Sequence, residues 1–236
     1  MTYENKTVIL TGVGRPGQVG EVVARAFAER GAALALVSRS KDEVEQCAES
    51  IVAAGGRARP FQCDLADEAQ VRDAAARISA AYGGRADALV NMAGGFAMSG
   101  AVADSDPAVV QRMLAINLTT AYLATRAFVP MLRPARGAVV YFASAAVLPG
   151  AHGAKMSAYT AAKAGVLALM RAVAEEERAA GVRANALAPN AIRTAANVAA
   201  SGENVRYVER EAVADAVLFL CSDAATSVTG QVLELR

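Results

Sequence analysis

Short apolar runs alternate with segments of helical period along almost the whole chain. Thr7-Val8-Ile9-Leu10, Ala33 to Val37, Ala58 to Gln62, Ala88 to Asn91, Gly137 to Phe142, Arg183 to Ala188 and Gln231 to Leu235 read as strands. Between the first four, apolar residues recur at three- and four-residue steps: Val19, Val22, Val23, Ala26 and Phe27; Val44, Cys47, Ala48, Ile51 and Val52; Val71, Ala74, Ala75, Ile78 and Tyr82. Gly31, Gly55-Gly56 and Gly83-Gly84 stop these three helices. Further helices are expected from Asp106 to about Phe128, opened by an acidic cap and Pro107, from Ser157 to about Ala179, and from near Val208 to Leu220. Parallel strands buried on both faces read as continuous apolar runs, and strands joined through helices lie parallel. The fold class is therefore α/β, a single-domain, doubly wound parallel sheet of about seven strands with helices on both faces, spanning 1–236. An eight-fold barrel needs one more strand than the chain offers.

Composition narrows the function. Of the 236 residues, 54% are hydrophobic and 20% charged, which supplies a large core and excludes disorder. A net charge of +1 with no dense run of Lys or Arg argues against a nucleic-acid partner. Cys47, Cys63 and Cys221 are odd in number and widely spaced, so they read as small buried hydrophobes in a reducing compartment rather than as a disulfide framework or metal ligands. The single histidine, His152, has no clustered carboxylate or thiol and reads as a loop residue; no metal is expected. Met1 to Lys6 does not lead from a basic segment into an apolar one, and no uncharged stretch reaches membrane-spanning length. A cytoplasmic protein with no membrane partner is expected.

The first strand runs into Gly12-Val13-Gly14-Arg15-Pro16-Gly17, and a helix follows. This spacing, in this strand-turn-helix context, is the dinucleotide-binding fingerprint of the Rossmann fold: glycines let the backbone approach a pyrophosphate, and the helix N-terminus offers free N–H groups and a positive dipole end. NAD-binding chains place an acid about twenty residues further on to hold the ribose hydroxyls. Here that place reads Ser38-Arg39. A carboxylate would repel a 2′-phosphate, whereas Arg39, with Arg15, can pair with it, so the cofactor expected is NADP(H).

The chain resembles the short-chain dehydrogenase/reductase family from about Lys6 to Gly230, and most nearly its 3-oxoacyl-[acyl-carrier-protein] reductase-like members. The motifs that carry the resemblance are Thr11-Gly12 with the glycine-rich turn, Cys63-Asp64-Leu65, Asn91-Met92-Ala93-Gly94, Asn117-Leu118, Ser144, Tyr159-Thr160-Ala161-Ala162-Lys163, the segment Asn185 to Thr194, and Thr229-Gly230-Gln231. The resemblance implies a catalytic set of Asn117, Ser144, Tyr159 and Lys163. It also implies a cofactor site made of Gly12, Gly14, Arg15, Gly17, Val19, Ser38, Arg39, Asp64, Leu65, Asn91, Ala93, Gly94, Tyr159, Lys163, Pro189, Ile192 and Thr194. Lys163 is expected to hold the nicotinamide ribose and Asn117 to anchor a water linking Lys163 to solvent. A homotetramer or homodimer is expected, formed through the helices that begin at Asp106 and Ser157.

The chain departs from the family pattern in several places. The glycine-rich turn and the Ser144 to Tyr159 interval are each about two residues long for the family, Met92 replaces an asparagine, Asn190 stands where glycine is usual, and the terminal glycines are missing. Less sequence than usual lies between Thr194 and the last helix, which implies a short substrate lid near 195–207 and an open pocket.

Tyr159 and Lys163 are four apart on a helix, so they share a face. A free phenol, with a pKa near ~10, is phenolate in only about one molecule per thousand at pH 7. A lysine cation about 4 Å away at an effective dielectric of ~20 contributes at most ~4 kcal/mol, roughly three pKa units, and is expected to make the phenol ionise more easily. Tyr159 then exchanges a proton with the substrate oxygen while Ser144 hydrogen-bonds it. Phe96, Leu148 and Met156, with Ser144 and Tyr159, are the expected substrate contacts. The reaction expected is the interconversion of a carbonyl and a secondary alcohol on a small molecule, a 3-oxoacyl thioester or a ketone. The alternatives are polyol, sugar or steroid dehydrogenation, and an NAD(P) redox-sensing or structural protein of this fold with little turnover.

Overall fold

A computed structural model describes residues 1–236, which form one sheet in the order β3-β2-β1-β4-β5-β6-β7 with every adjacent pair parallel. The strands are β1 Thr7–Thr11, β2 Ala33–Ser38, β3 Arg57–Gln62, β4 Ala88–Asn91, β5 Ala138–Phe142, β6 Arg183–Pro189 and β7 Val232–Leu235. The helices are α1 Val19–Ala28, α2 Lys41–Ala53, α3 Glu68–Ala81, α4 Pro107–Leu114, α5 Thr120–Leu132, α6 Ser157–Glu176, α7 Ala195–Ser201 and α8 Arg210–Cys221. No helix is long and apolar enough to cross a membrane.

Alternation along each strand divides the core in two. In β1, Val8 and Leu10 pack with Val23 and Phe27 of α1, Val44 of α2 and Val213 of α8, whereas Ile9 packs on the other face with α3, α5 and α6. The two clusters hold 26 and 29 buried residues, so both faces are covered about equally, as a continuous apolar strand pattern requires. Each large apolar side chain fully buried there contributes roughly 1.5–3 kcal/mol. All three cysteines are free and buried.

Two expectations need correction. The helix expected from Asp106 to about Phe128 runs on to Leu132 with Pro130 inside it, and a π-helical turn, Ala115–Thr119, divides it into α4 and α5. Apolar periodicity does not register a one-residue widening of a helix; such widenings gather at functional sites. The helix expected to reach Ala179 ends at Glu176.

The strand order reverses between β1 and β4, and the carboxyl ends of the strands at such a point leave a crevice. Thr11 fixes its floor. Its hydroxyl donates to the Val90 carbonyl (3.3 Å) and accepts from the amides of Met92 (3.2 Å) and Ala93 (3.4 Å).

Candidate active site

The crevice is a single elongated cleft of about 1160 Å³. That exceeds the few hundred to ~1,000 Å³ of ordinary small-ligand pockets and leaves room for a dinucleotide and a second molecule. At the β1 end, Gly12 has φ +73°, and a Cβ there would lie 2.6 Å from the Ala93 amide, so no other residue fits. Gly20, in the first turn of α1, brings the helix against that turn: a Cβ on it would lie 2.6 Å from the Gly12 carbonyl oxygen.

Gly20 packs the helix on the turn, and Gly17, expected at the cofactor, does not line the cleft. The Gly17 amide donates to the Glu21 carboxylate (2.6 Å) and its carbonyl accepts from Arg210 (2.6 Å). The two-residue extension of the turn moves the helix start to Val19, and the interval Gly17-Gln18-Val19-Gly20 was the available signal. Gly12, Gly14, Arg15 and Val19 line the cleft as expected, as do Asp64, Leu65, Ala93, Gly94, Pro189, Ile192 and Thr194.

Asn91 does not. Its amide nitrogen donates to the Thr125 hydroxyl on α5 (3.3 Å), which ties the end of β4 to that helix instead of facing the cleft.

Ser38 and Arg39 lie at the carboxyl end of β2 on the cleft wall. Arg15 is held by Glu43 of α2 (3.2 Å), whereas Arg39 has no carboxylate partner. Glu43, a cleft residue that the sequence reading did not single out, thus leaves Arg39 as the free cation of the Ser38–Arg39 corner.

At the other end Ser144 follows β5, and Tyr159 and Lys163 sit on the first two turns of α6. Lys163 is buried, and its ammonium donates to the Phe142 carbonyl at 2.7 Å. It lies 5.9 Å from the centre of the Tyr159 ring, over the face. The Tyr159 phenol lies near the Ser144 hydroxyl, which favours its ionised form, and its ring packs edge-to-face with Phe96, with ring centres 5.0 Å apart and planes at 84°. Asn117, on the π turn, donates to the carbonyls of Gly95 and Met113 (both 3.0 Å) and accepts from the Gly95 amide (3.1 Å). A Cβ on Gly94 would lie 2.6 Å from the Asn117 side-chain oxygen and 3.4 Å from the Lys163 nitrogen, so this glycine lets loop, amide and ammonium meet.

Of the expected substrate contacts, Phe96, Ser144, Met156 and Tyr159 line the cleft; Leu148 turns inward and packs on the core beneath α5 and α6. His152 is an exposed loop residue on the cleft wall. No group of His, Cys, Asp and Glu could hold a metal.

Residues 12–235 match the family model described as Enoyl-(Acyl carrier protein) reductase. The chain is 34% identical to the (-)-isopiperitenol/(-)-carveol dehydrogenase of Mentha piperita, over 95% of this chain and 89% of that protein. Its fold matches a short-chain type dehydrogenase/reductase from Mycobacterium ulcerans with a TM-score of 0.90 at 28% identity, covering 100% of this chain and 90% of that one. The chain belongs to the short-chain dehydrogenase/reductase family. A structure described as a putative NAD(P) dependent gluconate 5-dehydrogenase from Beutenbergia cavernae, with bound NADP at low occupancy, is similar at 31% identity and a TM-score of 0.87, covering 99% of this chain and 96% of that one.

Within this short-chain dehydrogenase/reductase, the ionisation of the site differs from the expectation. Burial holds the Tyr159 phenol above its usual range, and the neighbouring Ser144 hydroxyl only partly offsets that. The Lys163 ammonium, 5.9 Å from the ring centre and hydrogen-bonded to the Phe142 carbonyl, does not outweigh that burial. Burial also lowers Lys163 itself, to about 8. Tyr159 is thus stored as the neutral acid at pH 7.

The segment 195–207, where a short lid is expected, is pinned at both ends. Thr194 caps α7 by accepting from the Asn197 amide (3.2 Å), and the buried Tyr207 hydroxyl donates to the carbonyls of Asn197 (3.2 Å) and Gly202 (2.7 Å). Arg193 stacks on the Tyr207 ring at 4.9 Å while pairing with Glu203 and Glu209.

Proposed function

We propose that this protein is an NADP(H)-dependent oxidoreductase that interconverts a ketone or 3-oxoacyl thioester and the corresponding secondary alcohol. The observation that carries the reading is the convergence of Ser144, Tyr159 and Lys163 at one end of a cleft whose other end presents an unpaired Arg39 beside Ser38. The residues fit a dinucleotide: Gly12 has no room for a side chain, the N-terminus of α1 faces the cleft, and Arg39, with no acid beside it on β2, would pair with a 2′-phosphate. A nicotinamide held there would supply or accept the hydride.

This chain's residues manage the proton. Tyr159, neutral at pH 7, donates from its hydroxyl to the carbonyl oxygen during reduction, and Ser144 hydrogen-bonds the same oxygen as charge develops on it. Lys163 holds a positive charge beneath the ring that compensates the phenolate left behind. Asn117 fixes the Gly95 backbone against the π turn, and so holds in place the loop that carries Phe96.

Phe96, Met98 and Val102 expose more than half of their surface on the loop after β4, an apolar rim that suits an acyl chain or hydrocarbon ring. Three buried thiols suit a reducing cytoplasm. The exposed Tyr122 of α5 suits assembly into a homotetramer or homodimer.

The test is a panel of cyclic ketones, linear ketones and 3-oxoacyl thioesters, with nicotinamide oxidation as readout. At least one class is reduced, faster with NADPH than with NADH. No reduction of any carbonyl counts against the reading, and equal rates with the two cofactors count against the role of Arg39.

A further inference from the structure

Helix α6 begins immediately before Tyr159, and its own sequence does not cap it: Met156 precedes it, with no side-chain acceptor for the first free amides. Such amides need partners, and a missing cap typically costs about 1 kcal/mol. The partner comes from 59 residues away. Ser99, on the loop after β4, is buried at 7% exposure, and its hydroxyl lies 3.5 Å from the Ala158 amide, 3.2 Å from the Ser157 hydroxyl and 3.3 Å from the Lys155 carbonyl.

A hydroxyl has one proton and two acceptor positions. Here the Lys155 carbonyl and the Ser157 hydroxyl can each take the Ser99 proton, and the Ser99 oxygen accepts from the Ala158 amide, so the hydroxyl is engaged at the start of α6. The Ser99 and Gly100 amides donate to the same Lys155 carbonyl, at 2.9 and 3.2 Å. Lys155 adopts φ +63°, a left-handed conformation that disfavours a lysine and that turns its carbonyl toward Ser99.

We infer that Ser99 is a positioning residue that caps the helix bearing Tyr159 from outside and clasps the two walls of the substrate mouth into one unit. The loop it anchors carries Phe96, whose ring meets Tyr159, and the loop it grips carries Met156. Tyr159 is the third residue of α6, inside the first turn, where the positive end of the helix dipole favours a phenolate. Fraying that turn weakens this support and loosens the aim of the hydroxyl.

The proposal rests on the oxidoreductase reading for its kinetic consequence but not for its structural one. The experiment compares Ser99→Ala and Ser99→Thr with the wild-type protein in two ways: backbone amide exchange, and the pH dependence of secondary-alcohol oxidation with NADP⁺. Ser99→Ala is expected to exchange the Ala158 and Tyr159 amides roughly 5-fold faster, as loss of a ~1 kcal/mol cap implies. Its oxidation limb shifts to higher pH, because the base form of Tyr159 is less favoured, while NADPH affinity is unchanged. Ser99→Thr, which keeps the hydroxyl, is expected to stay near wild type in exchange and pH profile. Wild-type exchange at Ala158 in Ser99→Ala overturns the cap, and faster exchange with an unmoved pH limb overturns the positioning of Tyr159. Absence of alcohol oxidation in the wild-type protein defeats the functional reading, and the exchange result still decides the cap.

Discussion

Replacing Tyr159 by Phe lowers kcat by roughly 10³-fold and leaves NADPH affinity within about twofold of wild type. A positioned general acid contributes about 10²–10⁴-fold, and Tyr159 is the phenol that lies beside Ser144 in the cleft. The substitution removes one oxygen and leaves the ring, so the edge contact with Phe96 and the cation beneath the face persist. Steady-state rates with a substrate of the wild-type protein, together with fluorescence titration of NADPH, separate the two effects. Turnover within threefold of wild type would remove Tyr159 from the chemistry. Because burial keeps the phenol neutral at pH 7, reduction proceeds readily there and oxidation rises with pH as the phenolate becomes populated.

Replacing Lys163 by Met is expected to lower kcat at least 10²-fold and yet stabilise the fold at neutral pH by about 1 kcal/mol. The ammonium is buried with no carboxylate partner, and its pKa falls from 10.5 in a free side chain to about 8 in the fold. That difference corresponds to about 3 kcal/mol of penalty for holding the charge at neutral pH. Methionine fills a similar volume, but the Phe142 carbonyl loses its donor, which takes back roughly 1–3 kcal/mol.

The sign follows from proton binding. Between pH 8 and 10.5 the unfolded chain holds the lysine proton more firmly than the fold does, so the wild type gains stability as pH rises through that window. Below pH 8 the penalty is complete. Denaturant midpoints at pH 7 and pH 10.5 check this: Lys163→Met leads at the lower pH and loses its lead at the higher one. A variant less stable than wild type at pH 7 would show that the ammonium is not under strain. A side chain kept at such a site despite its burden on the fold is one that the site uses.

Most of the architecture was legible because each layer reported on the same fold. Continuous apolar runs such as Leu34 to Val37 marked two-sided burial, and Gly31, Gly55 and Gly83 ended helices where periodicity also ended. The clustering of Ser144, Tyr159 and Lys163 was legible from short motifs in order. Three features were not, for distinct reasons. The extended glycine turn let Gly17 match a spacing that Gly20 fulfils in space, because a letter pattern does not say where a helix begins. The π turn that places Asn117 changes the helix by a single residue, beneath the resolution of apolar periodicity. The ionisation of Tyr159 depended on how deeply the phenol is buried, and helical spacing gives the nearness of Lys163 without the burial that opposes it. Asn91 and Leu148 failed in the same way: the chain positions were right, and the side chains turned toward the core.

The most direct measurement is a single turnover with NADPH carrying deuterium at its transferable position, offered together with a 3-oxo substrate and the matching enoyl compound. One deuterium on the carbinol carbon of the alcohol formed by the wild-type protein, absent with Tyr159→Phe, is the expected outcome. Deuterium on the β-carbon of a saturated product, or none in any product while the cofactor is bound, would contradict it.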